Sequence, residues 1–303
     1  MTKVLVSDHV DIEKLSLGPG FEVDYRPGIQ RDELLKLIGS YEVLVVRSRT
    51  KVDRELLDRA SRLRLVARPG TGLDNVDVEH AKSKGVQVVN SPESLVEAVA
   101  EHVLLLMLAL SRKLPVAAST TAAGKWEKES LLGVELKGKV LGVVGFGRIG
   151  RRVGEIASVI GMKILAYDII PIPPEVIAQT GCRVVGLDEL LASSDYITLH
   201  VPMTDQTRHM LDGRRLSNMK KSAFLVNTSR GGVVDEQALA DALKRGSLAG
   251  TALDVFEKEP PTGEILGAPN TILTPHIGGQ TAEAQSDAIT VVGEKVRAFF
   301  SRA

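Results

Sequence analysis

Two kinds of apolar pattern alternate along the chain. Short runs rich in Val, Ile and Leu predict strands at residues 3–6, 42–46, 63–67 and 86–89, then at 140–144, 163–167, 196–200, 223–227, 250–253 and 271–273. Segments of helical spacing separate them, which is the pattern of βαβ units whose strands are covered on both faces. Between the two series Leu95, Val96, Val99, Val103, Leu106, Met107 and Leu110 recur at steps of three and four, predicting one long amphipathic helix. Ser94-Leu95-Val96-Glu97 reads as its capping box, with Pro92 just upstream discouraging an earlier helix. After the last strand, Ile289, Val292, Val296 and Phe299 mark a terminal helix that needs a surface for its stripe. Its return to the first series is expected to make that unit discontinuous, residues 1–93 with 280–303, around a second unit at 94–279 and a cleft between them. The predicted class is α/β with two parallel sheets.

A length of 303 residues agrees with two units, since single cores seldom grow past about 250 residues. Apolar residues at 44% and charged residues at 25% describe a globular chain, and only 4% aromatics means an aliphatic core. The balance of 38 basic against 38 acidic residues leaves no excess of positive charge for nucleic acid or an anionic membrane. A lone cysteine, Cys182, excludes an intrachain disulfide and fits a reducing compartment. The N-terminus lacks a signal-peptide pattern, and the run 103–110 is far shorter than the roughly 20 residues of a membrane span, so a cytoplasmic protein is expected. Histidines and cysteine are not grouped at metal-ligand spacing, and no metal is predicted.

Gly145-Phe146-Gly147-Arg148-Ile149-Gly150 follows directly on the strand 140–144 and opens a helical pattern through Val153, Ile156 and Val159. In that context the glycines allow a tight turn (Gly145), close approach of backbone donors to a pyrophosphate (Gly147) and helix-on-strand packing (Gly150). The next strand ends at Asp168, 18 residues beyond Gly150, where a carboxylate accepts from a ribose diol and repels a 2′-phosphate. The motif thus points to a Rossmann-like unit and to NAD(H). Each feature alone also suits a plain strand-to-helix turn with a solvated acid at a strand end.

Three later segments bring polar chemistry to strand ends. In Asn227-Thr228-Ser229-Arg230-Gly231-Gly232 an arginine enters a glycine-rich turn, where its fork can hold a carboxylate and a neighbouring carbonyl. Asp254-Val255-Phe256-Glu257-Lys258-Glu259-Pro260 supplies carboxylates, and Thr274-Pro275-His276-Ile277-Gly278-Gly279 supplies a histidine able to shuttle a proton near neutral pH. Singly, Arg230 could cap helix carbonyls, Glu259 could be a solvated charge and His276 a packed turn residue.

Taken with Arg68-Pro69-Gly70-Thr71-Gly72-Leu73-Asp74-Asn75-Val76-Asp77 and Gly138-Lys139-Val140-Leu141-Gly142, these stretches resemble the D-isomer-specific 2-hydroxyacid dehydrogenases over essentially the full length. Within that family the likeness is to the phosphoglycerate dehydrogenase group. The resemblance implies catalysis by Arg230, Glu259 and His276, the glutamate being the one that directly precedes proline. It implies an NAD site built from Gly145, Gly147, Arg148, Ile149, Gly150 and Asp168, with His200, Val201 and Pro202 as a wall. Thr71, Thr228, Ser229, Arg230, Asp254, His276, Gly278 and Gly279 complete that site. A substrate site of Arg47, Arg68, Gly70, Thr71, Gly72, Arg230 and His276 is implied, in which Arg47 and Arg68 face a phosphate. Arg49 stands where a small residue is expected. The reaction implied is oxidation of 3-phosphoglycerate to 3-phosphohydroxypyruvate in serine biosynthesis, by a homodimer joined near the helix that follows Ser94. A glyoxylate or hydroxypyruvate reductase is the alternative, because those enzymes share the fold and the triad and act on substrates without a phosphate; a C-terminal regulatory domain is not expected. An NAD-responsive binding scaffold of the co-repressor type is the alternative from another class.

Overall fold

The computed structural model describes residues 1–301 and divides the chain into two compact units, one from Met1–Val96 with the stretch beginning at Gly279, the other Glu97–Gly278. In the first, β1 (Thr2–Val6), β2 (Phe21–Tyr25), β3 (Val43–Val45), β4 (Leu65–Arg68) and β5 (Gln87–Asn90) form a wholly parallel sheet in the order β2-β1-β3-β4-β5. Alternation along each strand sends side chains to opposite faces. Leu5, Leu44 and Val66 pack with Leu34, Leu35, Leu56 and Leu57 from the helices Arg31–Leu37 and Arg54–Arg59. Val4, Val6, Val43, Val45, Leu65 and Ala67 pack with Ile289, Val292 and Val296. Those last three belong to the terminal helix Ala282–Ser301, which is where its apolar stripe finds cover. Gly293 lets that helix touch the turn Ile12–Leu15, since a Cβ there would lie 2.1 Å from the Leu15 carbonyl oxygen.

The second unit holds β6 (Val140–Val144), β7 (Lys163–Tyr167), β8 (Arg183–Val184), β9 (Tyr196–Leu199), β10 (Phe224–Asn227), β11 (Gly250–Leu253) and β12 (Thr271–Leu273). All are parallel, in the order β12-β11-β10-β9-β6-β7-β8. One face packs Leu141, Val143, Ile164 and Val226 with the helices Val96–Ser111 and Arg148–Val159. The other packs Val144, Leu199, Leu225 and Leu253 with Leu190, Leu216 and Leu239.

Three local expectations are corrected. Strands β2 and β8 escape a reading based on continuous apolar runs: Phe-Glu-Val-Asp-Tyr is half polar on a sheet edge, and β8 is two exposed edge residues. Glu42 and Leu63 fall outside β3 and β4, whereas Arg68 falls inside β4. The capping box at Ser94 does not form. The helix starts at Val96, the buried Ser94 hydroxyl makes no hydrogen bond, and Glu97 takes the Arg152 guanidinium at 2.7 and 2.8 Å instead. Such a two-pronged charged pair outweighs a neutral capping bond.

Candidate active site

In the second unit the register aligns the last residues of six neighbouring strands, Leu273, Leu253, Asn227, Leu199, Val144 and Tyr167, in one row. The residues that follow, Thr274, Asp254, Thr228, His200, Gly145 and Asp168, therefore leave the sheet along a single edge. The strand order reverses between β6 and β9, and the carboxyl side of such a switch point is where parallel α/β sheets bind ligands.

Each glycine of the turn has a separate reason. At Gly145 φ is +89°, and a Cβ would come within 2.6 Å of the His200 carbonyl oxygen. A Cβ at Gly150 would lie 2.1 Å from the Gly145 carbonyl oxygen. Gly147, the N-cap of Arg148–Val159, faces open space, so its missing side chain serves something outside the protein's own packing. Asp168 borders this turn, its Oδ2 accepting the Phe146 N–H at 2.7 Å. His200 bonds to Thr198 Oγ1 at 3.0 Å, and burial pushes its pKa down to about 3, so this wall is uncharged at neutral pH. Val201 lies against the Gly145 position, and the Pro202 carbonyl accepts from Thr207 at 2.7 Å. The Thr228 hydroxyl is buried without a hydrogen-bond partner. An open helix N-terminus, a placed carboxylate and an orphaned hydroxyl on one edge fit a dinucleotide.

Further along that edge, Asn227 Oδ1 accepts from the Ser229 N–H and hydroxyl at 3.0 and 2.9 Å, and its amide donates to the Arg230 carbonyl at 2.9 Å. This fixes the turn, and Arg230 Nη1 donates to the Ser229 carbonyl at 2.6 Å. Asp254 is almost fully buried. Its Oδ1 accepts from Thr274 Oγ1 at 2.6 Å and from the Ile277 N–H at 2.9 Å, its Oδ2 from the Gly278 N–H at 2.7 Å, and His102 Nε2 lies 3.5 Å away. Burial pushes this carboxyl up, but the bonds from His102, Thr274, Ile277 and Gly278 outweigh it and hold the pKa below the usual carboxylate range. They also tie down the turn in which His276 adopts φ +56°, a left-handed conformation rare for a residue with a side chain. Its Nδ1 lies 3.1 Å from both oxygens of Glu259.

In the first unit the order reverses between β1 and β3, and there Asp8 accepts from the Arg47 N–H at 2.6 Å and from Thr50 Oγ1 at 2.7 Å. Asn75 donates to the carbonyls of Arg47 and Thr50, both at 2.6 Å. Beside them is a cavity of about 390 Å³ lined by His9, Tyr25, Arg47, Pro69, Gln285 and Ser286, among others. Burial lowers the pKa of the Arg47 guanidinium, an effect the Asp8 charge partly offsets. Arg68 folds over the neighbouring turn, its Nη1 2.5 Å from where a Gly70 Cβ would be. That turn is pinned by Ser91 Oγ accepting from Gly70 N–H at 2.8 Å and by Asn90 donating to the Thr71 carbonyl at 2.7 Å; the buried Thr71 hydroxyl has no hydrogen-bond partner. Arg47, Arg68 and Gly70–Gly72 thus belong to the first unit, as does Gly279, and the other expected site residues to the second. The supporting residues Asp8 and His102 carried no signal in the sequence, and Asn75 and Asn227 stood out there only as members of longer stretches.

Residues 104–278 match the family described as D-isomer specific 2-hydroxyacid dehydrogenase, NAD binding domain. The chain belongs to that family. It is 45% identical over 301 residues to a D-3-phosphoglycerate dehydrogenase of Methanocaldococcus jannaschii, covering 98% of this chain and 57% of that protein. It is 45% identical over 272 residues to a hydroxypyruvate reductase of Thermotoga maritima, covering 88% of each. A D-lactate dehydrogenase of Aquifex aeolicus, solved with NAD and lactic acid, superposes with a TM-score of 0.85 at 32% identity over 99% of this chain and 96% of that one. The chain spans about half the length of the phosphoglycerate dehydrogenases it matches. Both units are Rossmann-like, as expected of the family, and the cofactor of the second is NAD.

Proposed function

We propose that this chain is an NAD-dependent D-2-hydroxyacid dehydrogenase whose preferred substrate pair is 3-phosphoglycerate and 3-phosphohydroxypyruvate, which places it at the entry to serine synthesis. The observation that carries the reading is the pairing of His276 Nδ1 with both Glu259 oxygens at 3.1 Å, which leaves Nε2 for the substrate. Bound NAD supplies the hydride acceptor, held by the glycine turn, Asp168 and Thr228. His276 takes the proton of the C2 hydroxyl in oxidation and returns it in reduction. Glu259 fixes the tautomer and the orientation of the ring. Arg230 aligns the carboxylate and C2 oxygen through parallel hydrogen bonds.

The cavity beside Arg47 supports a substrate that carries a second anion, and Arg68 is proposed as the other cation. The resemblance to the hydroxypyruvate reductase favours the second reading, an unphosphorylated substrate. NADH consumption with phosphohydroxypyruvate, hydroxypyruvate and glyoxylate at matched concentrations separates the two. Preference for the phosphorylated acid, lost on Arg47→Ala or Arg68→Ala, is the expected result; preference for either other acid assigns a reductase. A scaffold role predicts that His276→Ala keeps the biological activity, whereas a dehydrogenase loses turnover and still binds NADH. The homodimer and a cytoplasmic location belong to the same proposal. They are supported by the apolar outer face of Val96–Ser111 and by the fact that no single described helix is long and apolar enough to cross a membrane.

A further inference from the structure

Behind Arg230 and Glu259 two acidic side chains meet in a way that proton transfer does not require. Glu236 opens the helix Glu236–Lys244, and Glu257 lies two residues before Glu259. The Glu236 N–H donates to Glu257 Oε1 at 3.1 Å, and the Glu257 N–H donates in return to Glu236 Oε1. His209 Nε2 lies 3.2 Å from Glu257 Oε1, while the His209 N–H donates to the Gly232 carbonyl at 2.8 Å. Next to Arg230, Gly231 presses on the same loop, for a Cβ there would lie 1.8 Å from the Phe256 carbonyl carbon and 2.4 Å from the Glu257 nitrogen.

The charge of Glu257 works against ionisation of Glu236. Burial and then the charges of Glu257 and Glu259 push the Glu236 pKa above the usual carboxylate range, with the Glu257 N–H and His209 acting against them. An arrangement with that cost is informative for what it fixes, namely the position of the Glu259 loop against the Arg230 turn.

We propose that Glu236 is a positioning residue, whose carboxylate holds the Phe256–Glu257 peptide against Gly231 and so sets Arg230, Glu259 and His276 in register. The proposal rests on the dehydrogenase reading above. It acts through geometry: a displacement on the order of 1 Å in a catalytic group costs about a hundredfold in rate. Glu236→Ala removes the acceptor, whereas Glu236→Gln keeps an oxygen for the Glu257 N–H.

The test measures kcat, KM and NADH affinity in both variants, with the ¹⁵N shift of His276 Nδ1 in the cofactor-free protein. Glu236→Ala is expected to lower kcat by roughly ten- to a hundredfold, leave NADH affinity unchanged and move the Nδ1 resonance. Glu236→Gln is expected to restore kcat and the Nδ1 resonance to near the parent values. The proposal is overturned by full activity in Glu236→Ala, by a loss that Gln does not repair, or by a loss of NADH binding in parallel with kcat. The Nδ1 shift needs no substrate. Absence of turnover by the parent protein on any 2-oxo acid therefore defeats the dehydrogenase reading alone, while an unmoved Nδ1 resonance in Glu236→Ala defeats this one.

Discussion

Asp168 and Phe146 are joined across the ends of two neighbouring strands, Oδ2 of the one accepting the backbone N–H of the other at 2.7 Å while Oδ1 accepts from the Ile170 N–H at 2.9 Å. The carboxylate is thereby held at the lip of the glycine turn, where the proposed role has it accept from a ribose diol and repel a 2′-phosphate. Asp168→Ala is expected to weaken NADH binding by about tenfold, the scale of one hydrogen bond to a charged group, and to raise the affinity for NADPH relative to NADH. Fluorescence titration with both cofactors checks this. An unchanged ratio removes Asp168 from cofactor choice.

Asp254 does for the His276 turn what Asp168 does for the glycine turn. Asparagine at this position would turn an amide toward one of the backbone donors now bonded, leaving both unsatisfied. Asp254→Asn is expected to destabilise the protein by about 1.5–3 kcal/mol at pH 7 and to lower kcat, because the left-handed turn at His276 loses its anchors. The folded pKa of Asp254 lies below its unfolded value, so its contribution is fully present above the unfolded value of about 3.9 and is lost as pH falls through the folded one. Denaturant titrations of parent and variant should therefore differ at pH 7 and converge in strong acid.

Most of the strands were legible because buried parallel strands are written as uninterrupted apolar runs, and the glycine turn was legible because Gly145 and Gly150 answer steric demands of the turn while Gly147 leaves the helix N-terminus open. What escaped had no such signature. Strand β2 is half polar because it lies on an edge, and Ser94 looks like a cap until Arg152, 55 residues beyond Glu97, claims that side chain. Arg230, Glu259 and His276 were picked out by their motifs. The supporting residues, Asp8 and Asn75 at the Arg47 loop and His102 at Asp254, are ordinary polar residues in the sequence, and only the adjacency of β1 with β3 and of β11 with β12 gives them work.

His200 makes acid a threat well above the carboxylate range. Its folded pKa is about 3 against about 6.5 in the unfolded chain, so the unfolded state binds the extra proton and folding loses stability as pH falls below about 6.5. The urea midpoint is expected to drop between pH 7.5 and pH 5, and to drop less in His200→Gln, which keeps a polar group of similar size but no titration. Equal slopes for the two proteins would show that His200 titrates alike in the folded and unfolded states.

The helix Val96–Ser111 buries Val103, Leu106, Met107 and Leu110 inside its own unit, yet Leu105 and Leu108, three residues apart and so on a common face, stay 54% and 44% exposed. The next helix, Leu114–Ala122, adds Leu114 and Val116, both at least half exposed, and has no buried residue of its own. Four exposed apolar side chains on two successive helices call for a partner, and a second copy of this chain is the proposed one. Covering the exposed half of each leucine is worth about 0.7–1.5 kcal/mol, and in a two-fold arrangement every such contact occurs twice. Leu105→Asp with Leu108→Asp is therefore expected to turn a dimer into a monomer in sedimentation velocity while leaving the helical signal unchanged. A parent protein that sediments as a monomer at tens of micromolar would remove the dimer from the proposal and leave this face to another partner.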